Sequence, residues 1–86
     1  MSDKKDLQNC FLDLQRASVS FYLNPKGKSY WIFLNHAYKI LKEKERTAKF
    51  AKQIKTIMER STQAKKEDVI NLSDEMLTLG LLLKKG

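Results

Sequence analysis

The sequence predicts an all-α fold, a small bundle of four to five helices with a bend or break near residues 44–47. Apolar residues recur at helical spacing along most of the chain, and 42% of all residues are hydrophobic. Only three Gly and one Pro occur in 86 residues, so turns are few and the elements between them are long. A chain of this length forms one domain, residues 1–86.

The first helix is predicted over Asp3–Leu23, with Asp3 as its N-cap. Its main apolar face is Leu7, Cys10, Phe11, Leu14, Ala17, Phe21 and Tyr22. A second apolar strip, formed by Leu12, Val19 and Leu23, lies almost opposite that face. This helix is therefore either sandwiched between neighbours in the chain or in contact with another subunit. Because so small a domain offers few neighbours, we expect a homodimer.

A turn is predicted at residues 24–27, because Pro25 disfavours helix at the preceding residue and Gly27 is free to take positive φ. Ser29 is expected to cap the second helix. The apolar face of that helix is Tyr30, Phe33, Leu34, Ala37 and Leu41. The chain therefore reverses direction once before its basic centre.

Past Glu45 the apolar stripe changes phase by about one residue's rotation. The new stripe is Phe50, Ala51, Ile54, Ile57 and Met58. One straight helix could not bury both stripes against a single surface. We therefore expect a bend or short break within Lys44–Thr47, or else a continuous helix of about 45–50 Å whose halves face different neighbours.

The last helix is predicted over Asp74–Lys84, with Ser73 as its N-cap. Before it, Ser61–Gln63 interrupts the apolar pattern and a short helical turn is expected over Ala64–Ile70. Leucines occupy the whole circumference of the last helix, so it should be buried. A strand over residues 77–83 is the alternative, since the glycine there weakens a helix by about 1 kcal/mol.

The formal net charge of +7 lies entirely between Lys39 and Lys66, because ten Lys or Arg face three Glu there and the flanks balance to zero. Several like charges are three or four residues apart, which is unfavourable on a helix, and an anionic partner would relieve that repulsion. The candidate binding residues on this basic face are Lys42, Arg46, Lys49, Lys52 and Arg60, and Arg46 and Lys55 lie at the two margins of the face. A solvated, solubilising helix face is the plain alternative.

Trp31 and Tyr38 lie seven residues apart on the shoulder of the second helix. If the helix continued unbroken, Lys42 and Lys49 would extend the same edge and place cations beside aromatic rings. Such a patch could stack on bases or form a protein hot spot, although aromatic residues at helical spacing are more often core. Both residues are therefore candidate binding residues.

These features predict a small, non-catalytic, cytoplasmic binding or adaptor protein that presents a basic helical face to an acidic protein surface. The alternative is a nucleic-acid-binding protein that contacts phosphates through the central helix. A helix-turn-helix is a weak match, because the candidate turn at residues 43–47 has no Gly. The sequence carries no family signature.

No enzyme, metal or cofactor chemistry is expected from the sequence. Cys10, the single cysteine, permits no internal disulfide and fits a reducing compartment. Cys10 lies on an apolar face and His36 on a polar one, so a catalytic dyad is not expected, and His36 has no second ligand at metal-binding spacing. No apolar stretch approaches the roughly 20 residues of a membrane span, and no secretory signal is evident.

Overall fold

Four α-helices form an up-down-up-down bundle in the computed structural model, which describes the backbone of residues 2–85 and the side chains of residues 5–83. The helices are α1 (Ser2–Leu23), α2 (Ser29–Lys42), α3 (Ala48–Thr62) and α4 (Val69–Lys85). Short 3-10 turns at Glu45–Thr47 and Lys66–Asp68 precede α3 and α4. The described backbone contains no strand, so the predicted all-α bundle is confirmed.

Each helix packs antiparallel against the next, and α4 closes the ring by packing on α1. The direction of α4 follows from two contacts with α1. Ser18 Oγ donates to the Ser73 carbonyl at 2.8 Å, and farther along, Gly80 lies beside Phe11 and Leu14. The resulting bundle measures 39 × 19 × 18 Å and has two opposite broad faces, one formed by α1 and α4 and the other by α2 and α3.

The core is made by the apolar face of every helix. Phe21 is fully buried near the end of α1, where its ring meets the edge of the Tyr30 ring at a centroid distance of 4.7 Å. Such an edge-to-face pair adds roughly 0.5–1.5 kcal/mol to the burial of the two rings. The other large side chains that are fully buried are Leu14, Leu34, Leu41, Ile54, Leu72, Met76 and Leu83.

The break predicted near residues 44–47 is present between α2 and α3. Helix α2 ends at Lys42, and Lys44 is extended, with φ −115° and ψ 132°. The buried Thr47 side chain holds this conformation, because its Oγ1 donates to the Leu41 carbonyl at 2.7 Å. The apolar stripes of α2 and α3 can therefore both face the core, and the alternative of one continuous helix is wrong.

Ser73 is not an N-cap. Helix α4 begins at Val69, so Ser73 lies in its second turn, where it is 6% exposed and its Oγ has no hydrogen-bond partner among the described side chains and backbone. The earlier start buries Val69 and Leu72, and burying two such side chains contributes about 1.5–3 kcal/mol each. A serine cap contributes only about 1 kcal/mol, so the apolar contacts decide where the helix begins.

Other helix ends also differ from the prediction. Helix α1 begins at Ser2, which places Asp3 inside it, and Ser29 is the first residue of α2 and not its cap. No described residue has positive φ, so Gly27 does not take the left-handed conformation expected of it; a Cβ there would lie 2.5 Å from Nδ2 of the exposed Asn24 side chain.

Two further features of the C-terminal half differ from the prediction. Helix α3 continues through Ser61 to Thr62, and residues 77–83 are helical, so the strand alternative is wrong. Helix α4 is not buried all round, since Leu77, Leu81 and Leu82 are 38%, 54% and 50% exposed.

Candidate binding surface on α2 and α3

The two sides of α2 face different neighbours. The side toward α1 carries His36, whose Nδ1 bonds to the Asp13 carboxylate of α1. Helix geometry places Trp31, Tyr38 and Lys42 on the other side, toward α3, because these residues are separated by seven and four positions. Trp31 is 38% exposed, whereas Tyr38 is half-buried and packs against the core.

On this side of α2 a lysine ammonium group lies close to an aromatic ring. Lys42 Nζ is 5.6 Å from the centroid of the Tyr38 ring, within the range of a cation–π contact. Trp31 meets the edge of the Tyr30 ring at a centroid distance of 6.5 Å, and Tyr30 is buried. The edge of α2 that faces α3 therefore presents the partly exposed indole of Trp31, the phenol ring of Tyr38 packed against the core, and the ammonium group of Lys42.

Helix α3 also has two distinct margins. The α4 margin carries Arg60, which pairs with Glu75 of α4 at 2.9 Å. The opposite margin, toward α2, carries Lys55, and Lys52 points outward between the two. We call the surface formed by Trp31, Tyr38, Lys42, Lys52 and Lys55 the basic seam.

The structure does not gather all the predicted binding residues in one place. Arg46 and Lys49 lie at the α2–α3 junction, around a shallow pocket of about 200 Å³ that also includes Phe50. Lys49 Nζ is 5.2 Å from the Phe50 ring centroid. The edge expected to run from Lys42 to Lys49 is not formed, because the chain is extended between them.

Charge pairing separates the basic residues into two groups. Arg60 pairs with Glu75, and Lys44 Nζ is 3.1 Å from the Asp6 carboxylate. Among the described residues no ion-pair partner exists for Lys42, Arg46, Lys49, Lys52 or Lys55, all of which are exposed. Glu59 is the acidic side chain on the outward side of α3 near the basic seam, so the seam keeps a net positive charge.

Lys55 belongs to the basic seam, although the sequence places it only at a margin of the basic face and outside the predicted binding residues. A helical wheel shows that Lys55 lies beside the apolar stripe of α3. It does not show whether α2 or α4 occupies that side, which depends on the order of helices around the bundle. No signal in the sequence supplied that order.

A second concentration of positive charge lies at the end of the bundle that contains the α1–α2 turn. An open cleft of about 850 Å³ separates this turn from the connection between α3 and α4. Its lining includes Lys26, Lys65 and Lys66, together with the buried ring of Tyr30. These lysines are far from the α2–α3 junction, so the positive field is not confined to one face.

The Cys10 thiol lies between α1 and α2, where it contacts the backbone of α2. The Cys10 thiol is fully buried and its Sγ lies 3.9 Å from the Ala37 carbonyl, as a weak donor. Burial, reinforced by the negative charges of Asp13 and Asp6, raises the pKa of the Cys10 thiol to about 12. At neutral pH the group is a thiol and not the thiolate that nucleophilic chemistry needs.

The bond between His36 and Asp13 was not anticipated, because the two residues are 23 positions apart. Asp13 is only 7% exposed, and His36 satisfies its carboxylate. Within the described residues no three His, Cys, Asp or Glu side chains are grouped as metal ligands would be. None of the helices, over the part of the chain described, is long and apolar enough to span a bilayer.

Comparison with known proteins gives no relative: no family model, curated protein or solved structure matches this chain.

Proposed function

We propose that the protein is a non-catalytic cytoplasmic adaptor that acts as a homodimer and binds an acidic surface of a partner protein through the basic seam. The observation that supports this proposal is the combination of aromatic and charged groups on one face. Trp31 is partly exposed, Tyr38 is held by the core, and the neighbouring lysines have no ion-pair partner among the described residues.

Each part of the seam has a physical role in such a complex. An aromatic side chain held by its own core contributes contact area at little cost in conformational entropy, and Trp and Tyr are enriched among binding hot spots. The lysines around it attract acidic partners and orient them, which affects association rate and specificity more than final affinity. The preferred ligand is therefore an acidic segment that also carries apolar side chains.

Nucleic-acid binding is the alternative, and one observation favours it. Lys49, Lys52 and Lys55 lie along the exposed part of α3 without ion-pair partners among the described residues. Three phosphate contacts would give a slope of log K against log salt of about −3, since each contributes about −0.9. Five contacts to the predicted basic set are less favourable, because Lys42 lies on α2 and Arg60 is paired with Glu75.

Two labelled probes distinguish these functions: a peptide of alternating Glu and Leu, and a DNA duplex. Fluorescence polarisation at about 50–200 mM salt should show binding of the peptide in preference to the duplex. Trp31 is the only tryptophan in the chain, so its own emission should also shift when the peptide covers it. Loss of a hot-spot side chain costs about 2 kcal/mol or more, so Trp31→Ala should weaken peptide binding by about thirtyfold.

Charge variants test the location of the site. The double variant Lys52→Glu with Lys55→Glu should lose peptide binding, whereas the double variant Lys65→Glu with Lys66→Glu, which changes the net charge equally in the cleft at the α1–α2 turn, should stay within about twofold of the parent protein. Equal losses of peptide binding in the seam variant and in the cleft variant would show that the seam is not the binding site. The peptide would then be held only by general electrostatic attraction to a positively charged protein. Duplex binding with a slope near −3 that depends on Lys52 and Lys55, without peptide binding, would establish the nucleic-acid function instead.

A further inference from the structure

An exposed apolar strip runs along the bundle face formed by α1 and α4. Its members are large side chains that are 37% to 78% exposed. They are Leu12, Val19, Tyr22 and Leu23 of α1 and Ile70, Leu77 and Leu81 of α4. Below, "apolar strip" denotes these seven residues. Contiguous exposed patches of this kind mark interaction surfaces in soluble proteins.

Helix geometry makes the strip continuous. Leu12, Val19 and Leu23 follow one row of α1, and Ile70, Leu77 and Leu81 follow one row of α4, in each case at intervals of four, seven or eleven residues. Each row is about 17 Å long. Between the rows lies a groove of about 340 Å³, to which both helices contribute side chains.

Each row contains one charged residue of opposite sign. Arg16 lies between Leu12 and Val19, and Asp74 lies between Ile70 and Leu77. Both are exposed, and neither has an ion-pair partner among the described residues. The strip is thus electrically neutral, unlike the basic seam, and carries its own complementary charges. A surface with this pattern complements a second copy of itself better than it complements a uniformly acidic partner.

We infer that the apolar strip is the interface of a homodimer in which α1 of one subunit packs on α4 of the other. The contacts between α1 and α4 within one chain place Arg16 and Asp74 at similar heights along the bundle. A two-fold axis parallel to the helices therefore brings Arg16 close to Asp74 of the partner subunit, and does so twice. A perpendicular axis would instead pack α1 on α1 and bring the two Arg16 side chains together.

The size of the surface agrees with this arrangement. A standard interface buries about 800 Å² on each partner. That is about an eighth of the 6126 Å² accessible surface of one chain, and one long side of the bundle, which measures 39 × 19 × 18 Å, is large enough to supply it. The apolar strip supplies the hydrophobic centre of such an interface, and Arg16 and Asp74 supply part of its polar rim.

This inference rests on the homodimer of the proposed function and not on the basic seam, so the two are tested separately. Light scattering coupled to size-exclusion chromatography should give a mass about twice the 10.0 kDa of one chain. Leu23→Glu should give a monomer with unchanged far-UV circular dichroism, because Leu23 is 78% exposed. The matched control is Ile32→Glu on α2, which is 65% exposed outside the strip and should remain dimeric.

A charge exchange tests the packing of α1 on α4. Arg16→Glu and Asp74→Arg should each weaken the dimer, and the double variant should restore at least part of the lost affinity. A parent protein that is monomeric over about a hundredfold range of micromolar concentrations would overturn the homodimer itself. A dimer that persists in Leu23→Glu would overturn the strip as its interface, and a double variant no better than the singles would overturn the proposed pairing.

Discussion

Replacing Ser73 with alanine should stabilise this protein. Ser73 lies inside α4 at 6% exposure, and its hydroxyl oxygen is buried with no hydrogen-bond partner in the part of the chain that the structure describes. A buried polar group without a partner costs about 1–3 kcal/mol, and alanine is about 0.5 kcal/mol better than serine as a helix former. Removing one oxygen leaves little cavity. Ser73→Ala should therefore raise the free energy of unfolding by about 1–3 kcal/mol.

Urea unfolding followed by circular dichroism measures this change, with the protein concentration held constant because the stability of a dimer depends on it. In a domain of this size each kcal/mol raises Tm by about 4–8 °C. Ser18→Ala is the matched control, since Ser18 Oγ donates to the Ser73 carbonyl at 2.8 Å, and its loss should cost about 0.5–1 kcal/mol. An N-cap role for Ser73 requires the opposite sign, so a loss of about 1 kcal/mol in Ser73→Ala would refute this reasoning.

Two further predictions concern the thiol and the break. Folding raises the pKa of Cys10 from 9.0 to about 12, so the stability it contributes is complete below pH 9 and declines as the pH rises toward 12. Relative to Cys10→Ala, the parent protein should lose about tenfold in its folding equilibrium constant per pH unit in that range, as measured by urea unfolding; parallel pH curves would contradict this. Thr47→Ala removes the buried 2.7 Å hydrogen bond to Leu41 and should cost about 1–2 kcal/mol, whereas Thr47→Ser should retain most of that stability; equal losses would show that the hydroxyl does not hold the break.

The helices and the break could be predicted because apolar periodicity reports directly on burial. The change of phase after Glu45 predicted either a break or one continuous helix whose halves face different neighbours, and the extended backbone at Lys44 decides for the break. The start of α4 could not be predicted from Ser73, because a local capping preference competes there with contacts that Val69 and Leu72 make only in the folded bundle. Cap energies are smaller than those of core burial, so the tertiary contacts prevail.

The positive charge of the candidate site could be predicted from the sequence. Which residues lie together in that site could not. The concentration of Lys and Arg in the centre of the sequence predicted a basic face on the helices that are now α2 and α3. The order of helices around the bundle then decided that Lys55 faces α2 while Arg60 turns to Glu75 of α4. Contacts between distant residues, such as His36 with Asp13, likewise depend on helix packing and have no local signal.

The two broad faces of the bundle are opposite one another, and this has a consequence for the proposed dimer. Joining two subunits through α1 and α4 leaves both basic seams pointing away from each other, separated by about two bundle thicknesses of 18–19 Å. Such a dimer is bivalent. It can bridge two acidic partners, and on a target with repeated sites its second contact is intramolecular, which raises avidity by about 10²–10⁴ where the spacing of the sites fits. Weak binding by each seam would then suffice for tight attachment to a target with repeated acidic sites, whereas a single acidic protein would dissociate rapidly.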